Sequence, residues 1–166
     1  MGLFDRFRSR PAPIQWFGGD DPEMLRAIHE AQATYPDFVA AIVEDARREV
    51  PTFEDALVKY AFAGSKDGVE VEHMFLSDIA WRGNGLRGTV TSTPMHATGV
   101  QEGDRVVIDR DRVSDWLYVV DGKGVGGYTF RVMWSRFDEV ERESYRNQPP
   151  FLWVVDMPSV QSPARQ

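Results

Sequence analysis

Apolar and polar positions follow one period before Pro51 and another after it. Upstream, Met24, Ile28 and Ala31, and then Phe38, Ala41, Ile42 and Ala46, recur at helical spacing. Asp20, Asp21 and Pro22 supply a start signal: a carboxylate can accept from the free first-turn amides, and proline suits the first turn. Tyr35-Pro36-Asp37 interrupts the pattern, because proline has no N–H to continue the ladder. Two short helices, or one kinked helix, are therefore predicted up to about Glu49.

Past Pro51 the period shortens toward two. Ala56, Val58, Tyr60 and Phe62 alternate with Leu57, Lys59 and Ala61, as in a strand. In a second strand Val69, Val71, His73, Phe75 and Ile79 are assigned to the apolar face. Glu70, Glu72, Met74 and Asp78 are assigned to the other. Gly83-Asn84-Gly85 marks a turn. Leu86 to Ser92 reads as a third strand, and Gly103-Asp104 opens a fourth with Val106 and Ile108 on one face. Val113 to Val120 is a fifth, apolar on both faces and so placed centrally. Gly122 to Gly127 reads as a glycine-rich turn. Tyr128 to Trp134 fits a strand by alternation, but a helix can equally begin there. Phe137 to Arg146 is rich in helix formers and is stopped by Pro149-Pro150. Phe151 to Val155 is a candidate edge strand.

These elements predict an α+β domain. An N-terminal helical pair packs on an antiparallel sheet of about five strands, with a C-terminal helix. Residues 1–19 are expected to be a flexible arm, 20–155 the domain and 156–166 a tail. The chain's 166 residues are enough for one sizeable core.

Composition narrows the chemistry. There is no cysteine, so disulfides, thiolate catalysis and cysteine-based zinc sites are excluded. No apolar run reaches the roughly 20 residues of a membrane helix, and no signal-peptide core is visible, so a cytoplasmic location is expected. The net charge of −7 speaks against nucleic-acid binding and is compatible with a cationic protein partner.

Gly122, Gly124 and Gly127 match G-x-G-x-x-G, but a dinucleotide site also needs a βαβ unit, and Lys123 sits inside the glycines instead of ending them. His29, His73 and His96 lack the spacing of a metal pair. Neither a metal nor a cofactor is expected. Glu72 and His73 are adjacent, so in a strand they point to opposite faces, and His73 is expected to be a satisfied buried histidine. Asp109, Asp111 and Asp115 are candidate acid/base carboxylates that read better as loop and strand-start residues. Ser114-Asp115-Trp116 combines short side chains that bond nearby amides with a large aromatic body. Trp116 is then either a core residue or an aromatic anchor on a surface that Trp81, Met95 and Tyr118 would share.

Val58-Lys59, Glu72-His73-Met74-Phe75, Gly88, Pro94, Gly103-Asp104-x-Val106, Ser114 to Val119 and Gly126-Gly127-Tyr128-Thr129-Phe130-Arg131 occur in a specific order. In that order they resemble the YegJ-like bacterial family, domain of unknown function 2314, over roughly residues 22 to 147. Phe75 departs from the tryptophan the family often carries. The resemblance implies no established activity, cofactor or catalytic residue, and domains of this kind also occur as immunity proteins beside toxins. The expectation is a non-catalytic protein-binding module, with a cationic toxin as one partner of that type. The rivals are a small-molecule-binding or hydrolytic enzyme using His73, Glu72 or Asp115, and a structural domain without a separate site. The candidate binding residues are Glu72, His73, Asp115, Trp116, Lys123, Gly126, Gly127, Tyr128 and Arg131.

Overall fold

The computed structural model describes residues 21–64, 68–146 and 151. Helix α1 (Pro22–Ala46) is followed by strands β1 (Phe53–Ala63), β2 (Val71–Arg82), β3 (Gly85–Val90) and β4 (Arg105–Val107). A 3-10 turn at Arg110–Arg112 leads into β5 (Val113–Val120) and β6 (Lys123–Gly126), and helices α2 (Tyr128–Arg136) and α3 (Glu139–Arg146) close the series. The six strands form one antiparallel sheet in the order β4-β3-β2-β1-β5-β6. The fold is α+β, with three α-helices and six strands among the described residues, in place of a helical pair, about five strands and a C-terminal helix.

The helical pair is a single 25-residue helix that runs through Pro36. Proline removes the N–H that would bond the Gln32 carbonyl. Arg110 supplies the missing donor, its Nε lying 2.9 Å from that oxygen. Gln32 in turn donates to the carbonyls of Asp111 and Val113. The break signal was therefore compensated by residues about 80 positions downstream. The expected Asp21 cap is present, accepting from Glu23 and Met24. At the other end the Asp45 carboxylate accepts from Thr52 and Phe53, which fixes the entry into β1.

α1 buries Ala31, Tyr35, Phe38 and Ile42 against Val58, Tyr60, Met74, Leu76, Val113 and Trp116 on one sheet face. On the opposite face Leu57, Leu117 and Val119 pack with Phe130, Trp134, Phe137, Tyr145 and Phe151. Both faces of β1 and β5 are thus covered. β2 is not: Val71 and His73 remain exposed.

Strand β2 faces the opposite way from the expected assignment. Glu72, Met74 and Leu76 point into the α1 core, while Val71, His73 and Phe75 lie on the other face. A buried glutamate is tolerated there because its carboxylate is fully hydrogen-bonded, as shown below.

The glycine-rich turn is mostly strand. Asp121 (φ 50°) and Gly122 (φ 68°) make the whole turn, and Val120 pairs with Lys123. Left-handed backbone at both central positions suits a two-residue hairpin. Residues 128–134 are helical. The expected edge strand at 151–155 falls beyond the described residues apart from Phe151, which is buried and stacks on Phe130 at 4.4 Å between ring centroids. The expected arm at 1–19 and the tail also lie outside them.

β6 is an edge strand whose outward carbonyls are occupied. Arg131 reaches back from α2 and donates from Nε to Gly126 O (2.8 Å) and from Nη2 to Gly124 O (3.2 Å). A bare edge is a template for pairing with another chain. Arg131→Ala should therefore self-associate with rising concentration, read as a growing molar mass by light scattering. A variant that stays at wild-type mass at every concentration would remove this role.

Candidate functional site

The site begins at an irregularity in the sheet. Lys59 pairs with Asp115 and Tyr60 with Val113, leaving Ser114 as an extra residue in β5. A bulge re-aims the side chains around it. Ser114 Oγ donates to the Lys59 carbonyl at 3.1 Å and meets His73 Nδ1 at 2.9 Å. Three adjacent strands thereby bring Lys59, His73, Ser114 and Asp115 into one polar cluster on the α2 side of the sheet.

Asp115 is the centre of it. One carboxylate oxygen accepts from the amides of Trp116 and Tyr128 at 2.9 Å each. The other accepts from Thr129 N (2.8 Å), Thr129 Oγ1 (2.6 Å) and Phe130 N (3.3 Å). The first amides of α2, which lack partners inside the helix, thus meet a negative charge delivered from the neighbouring strand. Gly127 in the N-cap position carries no side chain and has left-handed backbone (φ 68°), so the cap has to come from elsewhere. Burial pushes the Asp115 carboxyl up, and the Thr129 hydroxyl, Lys59 and the amides oppose this. Four of the five contacts are amides that can only donate, so a proton on the carboxyl would have to go to the Thr129 hydroxyl, which would turn to accept it.

Trp116 faces the other way. The residue is 4% exposed, its Nε1 donates to Ala31 O at 3.0 Å, and its ring stacks on Phe38 at 5.1 Å. That places it in the α1 core and off the surface. Tyr118 stacks on it from within the same core, whereas Trp81 and Met95 are exposed elsewhere. Gly126 and Gly127 carry the chain past the indole: the Gly127 amide donates to the Trp116 carbonyl at 2.7 Å. Tyr128 meets the indole edge-on at 5.5 Å, and its hydroxyl accepts from Thr34 of α1 at 3.0 Å. Asp115, Trp116, Gly126, Gly127, Tyr128 and Arg131 therefore converge on one junction of β5, β6, α1 and α2.

Glu72 and Lys123 do not join it. Lys123 is exposed at the turn end of the hairpin. Glu72 is 4% exposed on the α1 face, and its carboxylate accepts from the amides of Met95 (3.0 Å), His96 (2.8 Å) and Ala97 (2.7 Å). It anchors the long connection between β3 and β4. Burial alone would raise its pKa, but these amides together hold it below the ordinary 4.5. A depressed carboxyl adds stability above its unfolded pKa and loses it as pH falls through the folded value. Wild type should therefore weaken toward acid, starting below about 4.5. Glu72→Gln should be less stable at pH 7 and show a flatter acid limb in urea unfolding. An unchanged limb would contradict the anchor.

His73 is exposed, not buried as expected. Burial of part of the ring and then the Lys59 charge push it down to about 4, an effect tempered by its open edge. Burial likewise pushes the Lys59 ammonium down, with Asp115 opposing. Among the described residues no group of three or more His, Asp or Glu could hold a metal ion. The helix that a glycine-rich phosphate motif requires is present as α2, but its first amides are filled by Asp115.

Lys59, Ser114 and Thr129 were not among the expected site residues. The available signal was Leu57: a large apolar residue on the supposed outer face of β1 means that Lys59, two positions on, also points inward.

A second feature lies on the outer side of α1. Glu23, Glu30, Asp37 and Glu44 recur every seven residues and are all exposed. A heptad drifts only about 20° around an α-helix, so the four form one stripe about 30 Å long. Glu23 pairs with Arg136. Glu30, Asp37 and Glu44 form no ion pair among the described residues.

Comparison with known proteins assigns the chain. The model of the uncharacterized bacterial family DUF2314 matches residues 21–151. The chain belongs to that family. The chain is similar to a protein of Neisseria meningitidis serogroup B named for ankyrin repeats, 31% identical over 82% of this chain and 53% of its own length. The present chain thus spans about half of that relative. Another is the uncharacterized protein YegJ of Escherichia coli K12, 26% identical over 78% of each chain. No solved structure matches. Among the described residues no helix is long and apolar enough to cross a membrane.

Proposed function

We propose that this DUF2314 domain is a non-catalytic module that binds a cationic protein along α1. The acidic stripe of Glu30, Asp37 and Glu44 carries the reading, because it gives the overall charge of −7 a defined face on a rigid element. Two observations support it. The carboxylates of Glu72 and Asp115, either of which a hydrolytic reading could use, are both occupied by backbone amides. The similarity to a neisserial protein named for ankyrin repeats supports a protein-interaction reading. An immunity protein that blocks a basic toxin in the cytoplasm is the concrete form we favour.

The test is affinity capture with wild type and with a Glu30→Lys/Asp37→Lys/Glu44→Lys variant. Wild type should retain one basic protein at near-equal stoichiometry, released by salt, since exposed charge pairs are screened within about 10 Å at 0.1 M. The variant should lose it while unfolding at the wild-type midpoint. Retention by both proteins, or capture of a neutral or acidic partner alone, would overturn the proposal.

A further inference from the structure

Lysine is rarely found at an inward position of a central strand unless a partner neutralises it. Lys59 occupies such a position. It lies on β1, two residues from the buried Leu57 and on the same face, and is itself mostly buried. Its cross-strand neighbours are Phe75 on β2 and Asp115 on β5. Phe75 offers no acceptor. Asp115 has an acceptor capacity of about four lone-pair sites, and five donors already occupy them. The nearest carboxylate therefore acts on Lys59 only through space. Lys59 forms no ion pair or side-chain hydrogen bond among the described residues. Three N–H donors are left for a group from outside.

The approach lies over His73. This residue is exposed, sits diagonally across the strand pair from Lys59, and has its Nδ1 fixed by Ser114. Val71 beside it is exposed as well. Asp115 does not bar an anion from this space, because its charge is directed into the N-terminal amides of α2.

We propose that Lys59, reached past His73, is a binding site for a single oxyanion group of the carboxylate or phosphate type. The site is on the sheet face away from the acidic stripe, so it stands or falls separately from the protein-partner reading. The ammonium is the positive donor, and the protein leaves its direct coordination to the ligand.

The experiment is titration of the full chain with sodium acetate and, separately, sodium sulfate, followed by NMR of the His73 ring. Sodium chloride at matched ionic strength is the control. Saturable 1:1 shifts with one of the oxyanions, absent with chloride, are expected. Acetate alone would identify a carboxylate site, and sulfate alone a phosphate-type site. Lys59→Met keeps the side-chain length and removes a buried charge, so it should fold, and it should bind at least tenfold more weakly. Shifts that chloride reproduces, shifts that do not saturate, or equal affinity in Lys59→Met would each overturn the proposal. The wild-type titration decides the first two without any variant.

Discussion

Asp115→Ala is expected to lose about 3–5 kcal/mol of stability, the range for breaking a buried charged interaction and leaving its partners behind. The five donors on its oxygens would face a cavity, three of them the first amides of α2. Lys59 would also lose the one negative charge opposite it. Asp115→Asn separates these effects. It retains the shape and one accepting oxygen, but turns an amino group toward a wall of donors. It should therefore recover only part of the loss. Urea unfolding gives the free energies, and hydrogen exchange at Tyr128, Thr129 and Phe130 gives the location. Accelerated exchange confined to the start of α2 is the expected signature. A loss below about 1 kcal/mol, the size of an ordinary exposed cap, would mean that Asp115 does not hold α2 in place.

Trp116→Ala should be comparably damaging, at about 3–5 kcal/mol. The indole fills the space between α1, β5 and the turn into α2, stacking on Phe38 and meeting Tyr128 edge-on. Its Nε1 also ties α1 to the sheet at Ala31, one residue before the Gln32 carbonyl that Pro36 leaves free. Gly126 is coupled to it. A Cβ there would lie 2.3 Å from the Trp116 carbonyl oxygen and 2.6 Å from indole Cε3, on backbone with φ +83°. Gly126→Ala combines left-handed strain of about 1–2 kcal/mol with overpacking of about 1–3 kcal/mol. In a Trp116→Ala background the clash with the ring should vanish, while the strain and the 2.3 Å approach to the residue-116 carbonyl oxygen remain, so only part of the cost should be relieved. A double-mutant cycle reads this directly. Strict additivity would show that the two residues do not share the space the structure gives them.

Much of the architecture was legible in the sequence. The helical spacing before Pro51, the alternation in β1 and the apolar run of β5 each led to the right element. The failures have physical causes. Pro36 reads as a break because local rules cannot see Arg110, 78 residues beyond Gln32, supplying the donor that the proline lacks. Glu72 was turned outward because an isolated carboxylate belongs in water, and its three amide donors come from a connection more than 20 residues downstream. Residues 128–134 alternate like a strand but form a helix, because the deciding group is the Asp115 carboxylate one hairpin earlier.

The candidate residues were legible as a group and not in their roles. Asp115, Trp116, Gly126, Gly127, Tyr128 and Arg131 do converge, but Asp115 and Trp116 face inward, and Arg131 closes a sheet edge. Lys59 was missed because alternation alone assigned it to the outside. The stripe of Glu30, Asp37 and Glu44 was present in the spacing all along, yet its exposure on a single face required one unbroken α1.

The most direct test of the central claim is carboxyl-to-amine crosslinking of the captured complex, with the linked peptides identified by mass spectrometry. The account predicts links from Glu30, Asp37 and Glu44 to lysines of the partner, lost together when the stripe is reversed. Links that avoid α1 and come from the β2 face around His73, or from the β4 edge, would contradict it.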